Sequence, residues 1–441
     1  MATASPKKSG RPAPYRAVEA IEVLYQGQKV GAAALDKSLG FYAFQYYPQW
    51  LRNSIELAPL QMPVRAGGSP FVFTDIPEGT YRRLPALLAD ALPDKFGNAL
   101  VNRYMADRGI RTEAITALDR LAYLGNRAMG ALEFRPARGL STRKPTAINL
   151  AELVSTARAA VHGQLDSDDE THQALRNIIE VGTSAGGARA KAVIAINPET
   201  HDMVSGQLAA PPGFQHWLLK FDGVGKDEAL GTPGNYGRIE FAHYLMARAA
   251  GIEMTECQLL EENDRAHFMT RRFDRFDGNG KHHVQSLCAM AHLDFNSIGT
   301  NAYSQLFLTM RALDLPYLQF EEAFRRMAFN VMARNCDDHS KNFAFILRTG
   351  EPWALSPAYD ITFAHDPNSY WTKQHLMSVN GKSDGFEIGD LIAEAERFGI
   401  GTARDVIAQV SSAIAEWPSF AADAGVPESI VATITSKQIR F

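Results

Sequence analysis

Long apolar runs are missing from this 441-residue sequence. No stretch of about 18 consecutive apolar residues occurs, which excludes a membrane-spanning helix. Cysteine is scarce: Cys257, Cys288 and Cys336 lie far apart and form no C-x-x-C pair, so reduced, cytosolic thiols are the simple reading. Neither sign of charge dominates, with 45 Lys plus Arg against 49 Asp plus Glu, so no global cationic field draws nucleic acid. Contact with DNA then has to come through a local patch or a partner. Met1 to Arg16 carries Lys7, Lys8 and prolines but no apolar centre, so it is no secretory signal. Internal repeats are absent too. What remains is ordinary globular composition, 46% hydrophobic and 21% charged, in a chain long enough for two or three domains. A soluble, cytoplasmic protein is expected.

Residues 1–17 read as a disordered tail, and 18–137 as a small α/β unit. Its elements are a hairpin turning at Gln26-Gly27-Gln28, a strand over Phe41-Tyr46, a helical period over Leu84-Met105 broken by Pro93, a short helix closed by Gly125, and a strand near Ala131-Phe134. A basic stretch broken by Gly139 and Pro145 marks a boundary. In 138–270, helices are expected over Leu150-Val161 and up to about Glu180, with the acidic run Asp166-Glu170 between them. A Gly-rich loop at 181–191 then feeds a strand at Ala192-Ile196, followed by the strand His216-Phe221 and the helical run Ile239-Ala249. The remainder, 271–441, is mainly helical, with Phe320, Phe324, Met327, Val331 and Met332 forming one stripe.

The stretch Asn335-Cys336-Asp337-Asp338-His339-Ser340-Lys341-Asn342 is too polar to be more core. A short strand, a turn and a second strand follow it, and then Tyr359-Asp360. Protein kinases place a base Asp and, five positions on, a metal-binding Asn in such a loop, with a second metal-binding Asp after a hairpin. Asp337, Asn342 and Asp360 have that order without the H-R-D or D-F-G signatures, so a divergent phosphotransferase is favoured over an ordinary protein kinase. Lys220 near a strand end, with Glu240 on the following helix, matches the phosphate-pairing lysine and its partner. Phe268 to Phe273, including Met269 and Phe273, is the candidate adenine hinge. Glycine in the loop Ser184-Ala185-Gly186-Gly187-Ala188 lets backbone N–H groups approach phosphate oxygens, although it matches neither Walker A nor G-x-G-x-x-G. His339 and Lys341 are read as supporting the loop or a phosphate, Asp338 as solvated, and His282-His283 as two solvated histidines.

Together these segments resemble the HipA family, the serine/threonine kinase toxins of bacterial type II toxin–antitoxin systems. The resemblance rests on T-S-A-G-G-A-R-A-K at 183–191, H-W-L-L-K at 216–220, R-R-F-D-R at 271–275, N-C-D-D-H-S-K-N at 335–342 and L-S-P-A-Y-D at 355–360. Leu92-Pro93-Asp94 looks like part of the family's N-terminal subdomain. The resemblance implies an α+β fold, a small N-terminal subdomain before a two-lobed, phosphatidylinositol-kinase-like catalytic domain with a mainly helical C-lobe. It implies ATP and Mg2+, Asp337 as base, Asn342 and Asp360 as metal ligands, and Lys220 and Lys191 with the loop on the phosphates. It also implies autophosphorylation at Ser184, a protein substrate such as an aminoacyl-tRNA synthetase, and a helix-turn-helix antitoxin, HipB-like, that brings DNA. Ala190 and Arg271 depart from residues frequent in relatives. Two other readings stay open: a metal hydrolase using Asp337, Asp338, His339 and Asp360, and a catalytically silent module that binds an antitoxin.

Overall fold

The structure, a computed structural model, describes residues 15–139, 153–154, 190–222, 235–262, 265–276 and 278–441. The expected helices over 150–180 and the loop residues Ser184, Ala185, Gly186, Gly187 and Ala188 lie outside the described residues, apart from Leu153 and Val154. Among the described residues no helix is long and apolar enough to cross a membrane.

Strands β1 (Ala20–Tyr25), β2 (Gln28–Asp36), β3 (Phe41–Tyr46) and β4 (Leu132–Arg135) form an antiparallel sheet in the order β3-β2-β1-β4. Tyr25 pairs with Gln28, and both intervening residues, Gln26 and Gly27, have positive φ, the tight hairpin whose twist suits the flanking strands. Alternation puts Ile21 and Val23 of β1 and Phe44 and Tyr46 of β3 into the core. Pro93 divides the helical period as expected. The chain breaks, and Asp94 starts the helix Lys95–Ala106 by accepting from the Gly97 amide at 2.6 Å. A reciprocal Thr116/Asp119 cap starts the helix Ala117–Leu124.

A second antiparallel sheet runs β6-β5-β7-β9-β8, from β5 (Lys191–Ile196), β6 (Met203–Ser205), β7 (Gln215–Lys220), β8 (Cys257–Glu262) and β9 (Arg265–Arg271). The helix Tyr236–Ala249 packs on β9 and β8. It approaches so closely at Gly237 that any side chain there would strike the Ala266 carbonyl.

Beyond the sheets, the helix Tyr317–Ala333 is buried along most of its length and ends at Arg334 in the left-handed conformation. The polar loop starts there and feeds the central strand, Ala344–Leu347, of a small sheet flanked by His283–Ser286 and Trp353–Leu355. The helix Ala403–Ala415 is followed directly by a second, Trp417–Asp423, because Pro418 can only sit in the first turn of a helix. His283 is not solvated: its ring is buried and Nε2 donates to the Leu57 carbonyl at 3.0 Å, one of the contacts joining the N-terminal unit to the rest. His282 keeps partial exposure and stacks on Phe276.

Candidate active site

The register of β5 on β7 sets Lys191 directly opposite Lys220. Like charges across a strand pair repel, and both lysines are buried, so anions must balance them. Two carboxylates do: the Lys220 ammonium is paired with Glu240, from the helix Tyr236–Ala249, and with Asp360. Burial by itself would lower Lys220, but Asp360 and Glu240 outweigh it and hold the ammonium above the ordinary lysine range. Burial would likewise raise Asp360, but Lys220 and Lys191 hold its carboxyl well below the usual range. Lys191 itself is pushed down, chiefly by burial. Asp360 sits at φ +54°, a left-handed backbone uncommon for a residue with a side chain, of the kind found where a site over-determines local geometry.

The loop after Arg334 is tied by the Cys336 amide to the Ala364 carbonyl at 3.0 Å, next to the Asn335/Ala364 bridge. Asn342 donates its amide nitrogen to the Asp337 carbonyl at 2.8 Å, which leaves Asn342 Oδ1 as the atom free for a ligand. Asp360 has Oδ1 on Lys220 and a second oxygen to offer. One carboxylate and one amide oxygen, completed by phosphate oxygens and water, is a donor set that suits Mg2+. Among the described residues no three His, Cys, Asp or Glu side chains gather into a cage that would hold an ion without such help.

Asp337 keeps its side chain 40% exposed, with Oδ1 accepting from the Trp371 indole N–H at 2.7 Å and His339 Nε2 standing off at 3.8 Å. Asp338 is buried rather than solvated. Its carboxylate accepts from the Tyr303 hydroxyl at 2.8 Å, His375 Nδ1 at 2.8 Å and the Leu376 amide at 2.8 Å, so it anchors the loop and has nothing left for a metal. Against burial, that carboxylate lifts His375 to about 10 and keeps it cationic. Polar character alone gave no sign of which neighbouring Asp faced inward.

One cleft is lined by Lys191, Lys220, Asp360, Asn342 and Lys341, with Phe268, Thr270 and Phe273 along its side. Met269, expected there, is turned away. In β9 the alternation that points Phe268 and Thr270 into the cleft buries Met269 in the core, and its backbone is engaged with Leu219 and Gln258 on either side. His339 stands outside the cleft lining, beside Asp337 and 5.6 Å from the Phe295 ring. Lys341 lies over that same ring at 4.6 Å while reaching the cleft.

The opposite wall comes from the N-terminal unit, through Leu87, Leu92, Asp94, Met129 and Leu132. Sequence reasoning assigned no role to Asp94, although an acid directly after a helix-breaking proline is a cap signal. Its Oδ2 is buried without a hydrogen-bond partner, and burial pushes the carboxyl up to about 6 despite Lys191 and Lys341. A raised carboxyl favours the folded state below its unfolded value near pH 4, and that advantage is lost as pH rises through 6. Asp94→Asn can still cap the helix. It should therefore unfold at higher urea than wild type at pH 8, by on the order of 1–2 kcal/mol after allowance for screening, and show no gain at pH 4.

Residues 183–417 match the HipA-like C-terminal domain, and residues 21–135 match the HipA N-terminal domain. The chain belongs to the HipA family. Its structure is similar to that of HipA from Shewanella oneidensis MR-1, solved with HipB and its operator DNA, with a TM-score of 0.69 over 95% of each chain. Sequence identity there is 16%, so what the two share is the fold. A Helicobacter pylori proinflammatory kinase, CtkA, matches 51% of this HipA-family chain and 88% of its own length at 12% identity, with a TM-score of only 0.34. No curated protein sequence matches the chain.

Proposed function

We propose that this HipA-family chain is an ATP-dependent serine/threonine protein kinase and the toxin of a type II toxin–antitoxin pair. The observation that carries the reading is the facing lysines, Lys191 and Lys220, with Lys220 paired to Asp360 and Glu240, in a cleft that Asp360 and Asn342 also line. Lysines on neighbouring strands suit triphosphate oxygens, and Glu240 holds Lys220 in place. Mg2+, held by Asn342 and Asp360 together with the phosphates, would supply neutralising charge. Asp337, outside the cleft and open to solvent, takes the proton of an incoming hydroxyl. The β-rich lobe 190–271 and the helical lobe beyond it then play the two lobes of a kinase, with Thr270–Phe273 between them as hinge. The hydrolase reading loses Asp338 to its buried partners. A silent module offers no reason for the balanced charges. A helix-turn-helix antitoxin is the proposed partner, DNA contact comes through it, and the acceptor is a protein hydroxyl, with Ser184 of the chain itself included.

Purified protein incubated with labelled MgATP, followed by phosphosite mapping, tests this: incorporation at a Ser or Thr is expected, and its complete absence removes the reading. Lys220→Met serves as the internal comparison. It should lose MgATP-induced thermal stabilisation, and it should also melt below wild type without ligand, because Glu240 is buried and left unpaired beside Asp360. Equal ligand stabilisation of variant and wild type would count against Lys220 on the phosphates.

A further inference from the structure

We infer that Trp371 is a positioning residue for the catalytic base, holding one oxygen of Asp337 so that the other is presented to the acceptor hydroxyl; this rests on the kinase reading. A partly exposed aspartate has a broad, nearly two-fold terminal torsion, so its carboxylate is not aimed by its own rotamer. Something must hold it. Asn342 fixes the Asp337 backbone but not its carboxylate. The nearest His339 nitrogen is at 3.8 Å, beyond hydrogen-bond reach. Among the described residues, the indole N–H of Trp371, at 2.7 Å from Oδ1, is the contact that remains.

Trp371 is itself built into place. Its amide and that of Thr372 donate to Ser369 Oγ at 3.2 Å each, and the Ser369 amide donates to the Asp366 carbonyl at 3.0 Å. His339 flanks the indole with ring centroids 6.4 Å apart, and Phe295 backs His339. An indole N–H donates only. It therefore cannot take a proton from the acceptor or compete with Asp337 as base, and it can only orient the carboxylate. General-base transfer needs the acceptor oxygen within about 2.6–3.2 Å of the receiving atom, and misplacement by an ångström costs about 10²-fold in rate.

Trp371→Phe keeps a ring and loses the N–H. Phosphate release from MgATP to water and label incorporation into the chain are the readouts, both of which use Asp337. A fall in kcat of about tenfold or more is expected, with the KM for MgATP unchanged, because the indole does not line the nucleotide cleft. The double variant Asp337→Asn/Trp371→Phe should be no slower than Asp337→Asn alone, since the indole acts through that carboxylate. Ser369→Ala, which loosens the turn without touching the indole, should reduce kcat in the same direction and serves if the Phe variant does not fold. A rate equal to or above wild type in the folded variants overturns the inference, as does an additive loss in the double variant. An inactive wild type overturns the kinase reading and this inference with it, whereas an active wild type with indifferent variants overturns the inference alone.

Discussion

Asp337→Ala should retain most of the affinity for MgATP and lose phosphoryl transfer by several orders of magnitude, whereas Asp360→Ala should lose both. The two carboxylates differ in what they touch. Asp337 meets Trp371 and approaches His339, and it takes no part in the charge balance around Lys220. Its removal leaves Lys191, Lys220, Glu240 and Asp360 as they are, so the phosphates keep their partners. Asp360 neutralises Lys220 directly and influences Lys191, and it is one of the two residues proposed to hold Mg2+. Without it Lys220 keeps only Glu240 of its two paired carboxylates, Lys191 loses a neighbouring negative charge, and the proposed metal loses a carboxylate. Catalysis of this kind is positioning and charge stabilisation, which is why each loss is large. Thermal shift with MgATP separates binding from chemistry, and label incorporation measures the chemistry. Transfer by Asp337→Ala at near wild-type rate would remove the base from this aspartate.

The elements most legible in the sequence were those set by local periodicity and breakers. The first hairpin, the strands carrying Lys191 and Lys220 and the buried helix before the polar loop are fixed by alternation, by Gly27 and by a stripe of Phe and Met. Spacing also brought Asn342 and Asp360 to one cleft, because a loop and a hairpin constrain the path between them, while Asp337 lies outside its lining. Facing was harder. Met269 and Phe268 are adjacent in a strand, and a one-residue error in phase moves a side chain to the other face of the sheet. Asp337 and Asp338 are neighbours in one polar loop, yet one is exposed and the other is sealed against Tyr303 and His375. Contacts across long separations left no local trace at all. Asp94 enters the cleft from a unit about a hundred residues earlier in the chain than Lys191, and Trp371 reaches back to Asp337 across 34 positions.

The segment R-R-F-D-R holds the last prediction, that Asp274→Ala destabilises the fold by about 3–5 kcal/mol. Asp274 is 2% exposed and accepts from Arg272 Nε at 2.8 Å, Arg272 Nη2 at 2.7 Å, Arg275 Nη1 at 2.7 Å and the Gly130 amide at 2.7 Å. Arg275 continues to the carbonyls of Gly130 and Ala128. One carboxylate thus neutralises two enclosed guanidiniums and staples the N-terminal unit to the segment after β9 beside the cleft. Truncation strands both cations and the Gly130 N–H in a low-dielectric place, and the cost of an unpaired buried charge exceeds what the intact pair contributed. The pH dependence follows. Burial would raise the Asp274 carboxyl, but Arg272 and Arg275 hold it well below the ordinary carboxylate range. Its contribution is therefore present above about pH 4, where the unfolded chain ionises, and is lost as pH falls through the folded value. Urea unfolding at pH 7 should show a lower midpoint for Asp274→Ala than for wild type, with the gap narrowing as the solution is acidified below pH 4. Asp274→Asn, which keeps the shape and some of the hydrogen bonds, should fall between them. A midpoint for the alanine variant within error of wild type at pH 7 would mean that the guanidiniums find other partners and that the staple contributes nothing to joining the two units.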